Sequence, residues 1–336
     1  MRTPLVLAAL ALALSAVAAP AQVMVQGAGA TFPANLYRAW IDRFNPDHPD
    51  IVVSYDSVGS SEGIRRFSAG LVDFGGTEQP MTDEAIAALG HRVLHVPTTA
   101  GMVVVAYNVP GVSGALRLSR EALARIFAGE ITAWNDPAIQ AANPDLALPD
   151  RTIALVTRRD GSGTTYIFST FLNSASPAWS TAGFRPGTLV DFPRAMLAPG
   201  NEGVSARLAI TEYAIGYVEY SFARALGLPA ALIENREGDF VAPTEATGRA
   251  ALAGAASLLP EDGRLIVADA PTGYPIIGYT WALVNPDREA GEGTAALRRF
   301  LEWSLTEGQP MADTLGYLSL PEPAAERARD ILAALD

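Results

Sequence analysis

The chain reads as an α/β protein with a mostly parallel sheet, and three observations predict it. Apolar strand-like runs alternate with amphipathic helical stretches. No repeat or low-complexity block interrupts that alternation. The 336 residues are 49% hydrophobic, a globular composition in a chain long enough for two medium domains.

The elements follow in order. Leu36, Trp40 and Phe44 recur at four-residue spacing and predict a helix with one apolar face. Ile51-Val52-Val53-Ser54-Tyr55 predicts a strand. Residues 102–107 form a continuous apolar run, as in a parallel strand buried on both faces. Leu123, Ile126 and Phe127 mark a second helix face. Residues 152–156 and 215–218 are further strands, and 276–284 is the last clear one. Leu297, Phe300, Leu301 and Leu305 mark a third helix face. The runs near 96–105 and 274–284 are candidate crossovers between two lobes. That order fits one lobe made of residues 22–99 plus 275–336 and a second made of 100–274.

The first residues predict export. Arg2 supplies a positive start, residues 5–17 are almost pure Leu, Ala and Val, and Ala19-Pro20-Ala21 has the small-x-small form of a cleavage site. The apolar run is short for a membrane span. The expectation is a signal peptide over residues 1–21, cleavage after Ala21 and a soluble mature chain in the periplasm. With no cysteine there is no lipid-anchored cysteine, disulfide, thiolate metal site or cysteine nucleophile.

The formal charge is −12, and all 24 basic residues are arginine. Such a chain does not bind nucleic acid through a general positive field, nor does its overall field draw anions. Any anion site must therefore work by local hydrogen bonds.

One loop type, a Gly/Ser/Thr-rich turn ahead of a helix, recurs three times. The first is Gln26-Gly27-Ala28-Gly29-Ala30-Thr31-Phe32-Pro33. The second is Ser57-Val58-Gly59-Ser60-Ser61-Glu62-Gly63. The third is Arg158-Arg159-Asp160-Gly161-Ser162-Gly163-Thr164-Thr165. The first backbone N–H groups of a helix have no intrahelical partner, and with the helix dipole they suit a negative ligand. Glycine admits close approach, and Ser and Thr add hydroxyl donors. Taken singly, each loop also reads as an N-cap, with Ser60 or Thr164 in that role. Three in one chain point to a shared oxyanion.

The third loop adds Arg158, whose guanidinium can hold two oxygens of a tetrahedral anion. Asp160 lies two residues on and can orient it. A surface charge pair at a turn is the other reading. A P-loop is excluded because the chain has no lysine, and Gly27-Ala28-Gly29 lacks the third glycine of a dinucleotide fingerprint. His48, His91 and His95 read as surface or packing residues. No metal site, cofactor site or Ser-His-Asp arrangement is expected.

At these loops the sequence resembles the periplasmic phosphate-binding proteins of ABC-type phosphate importers. The likeness includes Gly27-Ala28-Gly29-Ala30-Thr31-Phe32-Pro33, Gly59-Ser60-Ser61, Asp73-Phe74-Gly75 and Ile131-Thr132-Ala133-Trp134-Asn135-Asp136. It continues through Asp160-Gly161-Ser162-Gly163-Thr164, Gly200-Asn201-Glu202-Gly203 and Ala214-Ile215-Gly216-Tyr217-Val218-Glu219-Tyr220. The resemblance implies a type II periplasmic binding protein fold, with two α/β lobes, a two-stranded hinge and a ligand in the cleft. It implies that Ala30, Thr31 and Phe32 meet phosphate at the first helix start, Thr31 by its hydroxyl and Phe32 by its N–H. Ser60 would donate at the second, and Arg158, Ser162, Gly163 and Thr164 at the third, with Asp160 beside Arg158.

One position departs from the family pattern. Glu78, in Thr77-Glu78-Gln79-Pro80, stands where the family usually carries an aspartate that accepts the phosphate proton. The resemblance further implies a monomer that delivers phosphate to membrane permease subunits and catalyses nothing. The alternatives are a binding protein for arsenate or sulfate, or a secreted phosphatase.

Overall fold

The computed structural model describes residues 22–335. The expected leader and its cleavage point after Ala21 lie outside the described residues. Eleven strands follow: β1 (Val23–Gly29), β2 (Ile51–Ser57), β3 (Phe74–Thr77), β4 (Leu94–Asn108), β5 (Arg117–Leu118), β6 (Ala154–Arg158), β7 (Met196–Ala198), β8 (Ala214–Glu219), β9 (Leu232–Glu234), β10 (Phe240–Val241) and β11 (Ile277–Val284). Eight of them form one sheet in the order β2-β1-β3-β11-β4-β8-β6-β7, and β10-β9-β5 form a small second sheet.

The sheet is mixed, which corrects the expectation of a mostly parallel one. β2-β1-β3 are parallel, as are β8-β6-β7, but β11 and β4 between them pair antiparallel with every neighbour. The run 102–107 is buried as expected, yet it belongs to an antiparallel strand. An apolar run records burial on both faces, and a covered antiparallel strand meets the same environment as a parallel one.

β4 organises the molecule. Its residues 94–102 pair with β11, and 103–108 pair with β8. From β3 through β11 and β4 to β8 the chain direction reverses three times, so the two parallel triplets run toward each other. β3 ends beside Trp281, whose partner on β4 is Pro97. β8 ends at Glu219, opposite Val103. The carboxyl ends of both triplets therefore face one another across the middle of β4, where loops from the two can meet.

Helices follow these strand ends. The Ala34–Asp47 helix buries Leu36, Tyr37, Trp40 and Phe44 on one face. Its Trp40 Nε1 donates to the Gly308 carbonyl at 2.7 Å, and Phe44 meets Phe300 edge-on at 5.2 Å. Phe300 lies on the Glu292–Ser304 helix, which buries Leu297 and Leu301 as its spacing predicts. The Arg120–Phe127 helix buries Leu123, Ile126 and Phe127, and Phe127 packs edge-on against Phe168 at 4.7 Å. The first loop is shorter than the sequence indicates, because β1 continues to Gly29 and leaves only residues 30–33 before the helix.

Candidate oxyanion site

Four strand-to-helix turns and the end of β3 converge where the two triplets meet. β1 delivers Ala30, Thr31 and Phe32, β2 delivers Ser60, and β3 delivers Glu78. β6 delivers Arg158 and the 159–164 turn, and β7 delivers Gly200 and Asn201. Of the ten residues expected from sequence, Asp160 is half-buried and the other nine are buried.

Contacts run directly between the triplets. The Gly163 N–H donates to Ser60 Oγ at 3.0 Å, and the same hydroxyl donates to Glu78 Oε2 at 3.2 Å. Thr280 Oγ1, on β11, donates to Glu78 Oε1 at 2.9 Å. Ser61 N–H donates to the Gly161 carbonyl at 3.1 Å. Two glycines permit this approach. A Cβ at Gly163 would lie 2.1 Å from Glu78 Oε2, and one at Gly59 would lie 2.6 Å from Asp160 Oδ2. Gly59 also takes φ 96°, in the left-handed region.

Arg158 is clamped by Asp160, two residues on in the bend that follows β6. Its Nε donates to Asp160 Oδ1 at 2.9 Å and its Nη2 to Asp160 Oδ2. Its Nη1 donates to Thr164 Oγ1 at 3.2 Å. Asp160 is fixed in turn by the Gly200 N–H, 2.9 Å from Oδ1. Two of the five guanidinium N–H donors have no partner among the described residues. The buried backbone N–H groups of Phe32, Ser60 and Thr164 likewise have no protein acceptor among the described residues. Buried N–H groups without partners are rare in folded chains. Ser162 acts as the N-cap of the Gly163–Ala175 helix, accepting from Thr165 N–H at 3.1 Å. The capping role expected of Thr164 falls to Ser162, and Ser60 is the first residue of its helix rather than the cap, a position held by Gly59 with no side-chain cap bond.

The ionisable groups divide by their partners. Burial pushes the Glu78 carboxyl up to about 7, against the hydroxyls of Thr280 and Ser60 and the charge of Arg158, which pull it down. For Asp160 burial acts upward, but the Arg158 hydrogen bonds and charge prevail and hold it below the usual aspartate range. Glu219, at the end of β8, is fully buried and pushed up to about 8 by burial, opposed by Ser221 and Tyr317 and reinforced by the Glu78 charge.

Three residues were not singled out as site members by sequence. Asn201 bonds to both Thr31 and Thr164, at 3.0 and 3.1 Å from its Nδ2. Its signal was present, since Pro199-Gly200-Asn201 is a fourth turn between a strand and a helix. Thr280 is a hydroxyl inside an otherwise apolar strand, and Glu219 closes β8 one residue beyond the apolar run 215–218 that marks it. His95 packs in β4, where its Nε2 accepts from Met81 N–H at 3.0 Å.

Fold and site place the chain in a broad class first. A profile of the PBP superfamily domain matches residues 16–307. The phosphate-binding protein PstS of Methanocaldococcus jannaschii is 36% identical over 91% of this chain and 85% of that protein. The PstS of Pasteurella multocida is 36% identical over 90% of this chain and 88% of that protein. The chain belongs to the family of PstS phosphate-binding proteins. Its fold matches that of a high-affinity periplasmic phosphate-binding protein solved with phosphate at pH 8.5, with a TM-score of 0.75 and 22% identity over 91% of this chain and 92% of that one.

Proposed function

We propose that this chain captures inorganic phosphate outside the cytoplasmic membrane and delivers it to the permease subunits of an ABC-type importer. One observation carries the reading: a buried carboxyl, Glu78, stands among converging donors. Ser60 touches both Glu78 and the Gly163 helix start, and Arg158 is oriented beside them by Asp160. The donors suit the oxygens of a tetrahedral anion. The carboxyl suits the proton that phosphate keeps near neutral pH and sulfate lacks. An ionised Glu78 accepts that proton and repels an anion that has none, which discriminates between them.

The mechanism is capture by closure. Residues 22–99 with 275–336 form one lobe and offer Thr31, Phe32, Ser60 and Glu78. Residues 100–274 form the other and offer Arg158, Ser162, Gly163, Thr164 and Asn201. Phosphate bridges the lobes and biases their hinge toward the closed form that the importer recognises. No bond is made or broken, and the protein works as a monomer. The membership in a family of binding proteins and the leader-like first residues support this reading. Among the described residues no helix is long and apolar enough to cross a membrane.

Titration calorimetry of the wild-type chain with phosphate, arsenate and sulfate tests the proposal. Saturable phosphate binding with no comparable sulfate binding is expected. Equal affinity for sulfate, or steady phosphate release from a phosphomonoester, contradicts it.

A further inference from the structure

Asn201 opens the Gly200–Ile210 helix and is fully buried. Its Oδ1 accepts the Glu219 backbone N–H at 3.0 Å. A backbone N–H can only donate, so the carboxamide orientation is fixed and its other end is the NH2 group. Both hydrogens of that group are engaged. Nδ2 donates to Thr31 Oγ1 at 3.0 Å and to Thr164 Oγ1 at 3.1 Å.

Each threonine oxygen receives a second donor. Thr31 Oγ1 accepts the Asn201 backbone N–H at 3.1 Å, and Thr164 Oγ1 accepts from Arg158 Nη1 at 3.2 Å. A hydroxyl offers two lone pairs and one proton. In both threonines the lone pairs are occupied by groups that cannot accept. Their hydroxyl protons have no acceptor among the described residues, although both side chains are buried.

We propose that Asn201 is a positioning residue that converts the hydroxyls of Thr31 and Thr164 into obligate donors aimed at the bound anion. The inference rests on the oxyanion reading of the site and deepens it. An unprotonated oxygen is accepted at these two positions, and a protonated one is turned away. The phosphate proton is thereby directed to Glu78, the acceptor on the other flank of the site. Asn201 also ties Thr31, which follows β1, to Thr164, which follows β6, so the same carboxamide that sets the proton directions couples the two triplets.

The test is a cycle of phosphate affinities for wild type, Asn201→Ala, Thr164→Val and the double variant, with a phosphate-free thermal melt of each. Asn201→Ala is expected to weaken binding by about ten- to a hundredfold, the size of one hydrogen bond to a charged group. In the Thr164→Val background the same change should cost at least about threefold less, because much of its effect passes through that hydroxyl. Asn201→Asp keeps the acceptor for Glu219 but replaces the NH2 with an oxygen that takes the threonine protons, and should weaken binding more than alanine does. Wild-type affinity in Asn201→Ala, an undiminished loss in the Thr164→Val background, or failure of both Asn201 variants to fold overturns the positioning role. A wild-type chain that does not bind phosphate overturns the oxyanion reading and this inference with it.

Discussion

The two parallel triplets bring different chemistry to the place where they meet. The β1–β3 side offers backbone N–H groups, the Thr31 and Ser60 hydroxyls and one carboxyl, Glu78, with no cation among the site residues it contributes. The β6–β7 side offers Arg158, but its charge is already matched by Asp160 before any ligand arrives. The difference teaches how an acidic chain can hold an anion. Long-range attraction is weak on both sides, so affinity has to come from oriented donors at short range, and selectivity from the one acceptor opposite them.

The largest effect should follow from emptying the β6 side. Arg158→Ala is expected to cost about 2–5 kcal/mol of phosphate affinity in calorimetry, because a buried anion loses a charge-assisted donor and Asp160 is left unpaired. Wild-type affinity in that variant would remove Arg158 from the site.

The two raised carboxyls make the next comparison. Glu78 and Glu219 hold their protons to about 7 and about 8, against an ordinary 4.5. The folded chain therefore binds more protons than the unfolded chain across that window. Their contribution to stability is complete below about 4.5 and is lost as pH rises through about 7 and 8. Denaturant unfolding of the phosphate-free protein should show stability falling by a few kcal/mol between pH 5 and about pH 9. Glu78→Gln should remove its share of the fall up to about pH 7, and Glu219→Gln its share up to about pH 8. A stability that rises over this range in wild type would refute the assignment.

A smaller effect is expected at the contact between the triplets. In Gly163→Ala the new methyl would lie 2.1 Å from Glu78 Oε2 and 2.6 Å from Ser60 Oγ unless those groups shift. Phosphate affinity should drop by about 1–3 kcal/mol, the usual scale for an overpacked site. The melting temperature without phosphate should change little, since the collision arises only where the two sides close on each other. An unchanged affinity would mean that the closed contact is not the binding geometry.

Much of this was legible in the sequence, for identifiable reasons. The strands at 51–55, 215–218 and 276–284 were legible because apolar runs record burial. The three loops were legible because the same glycine-, serine- and threonine-rich turn recurs ahead of three helices, where a single one would read as an N-cap. Strand direction was not legible, because residues 102–107 would look the same in either orientation. The turn that carries Asn201 was legible but its task was not, because the fold brings Thr31 to it from 170 positions away. Thr280 was hidden in its apolar strand, where only the position of Glu78 gives its hydroxyl a task.

The central claim is that Glu78 reads the phosphate proton, and titration of wild type and Glu78→Gln with phosphate and with sulfate from pH 6 to about pH 9 tests it most directly. The account predicts that wild type excludes sulfate well above pH 7 and admits it increasingly as Glu78 gains its proton near 7. It predicts that Glu78→Gln loses phosphate affinity and binds sulfate at every pH. A variant that keeps the wild-type preference for phosphate over sulfate across the range would contradict it.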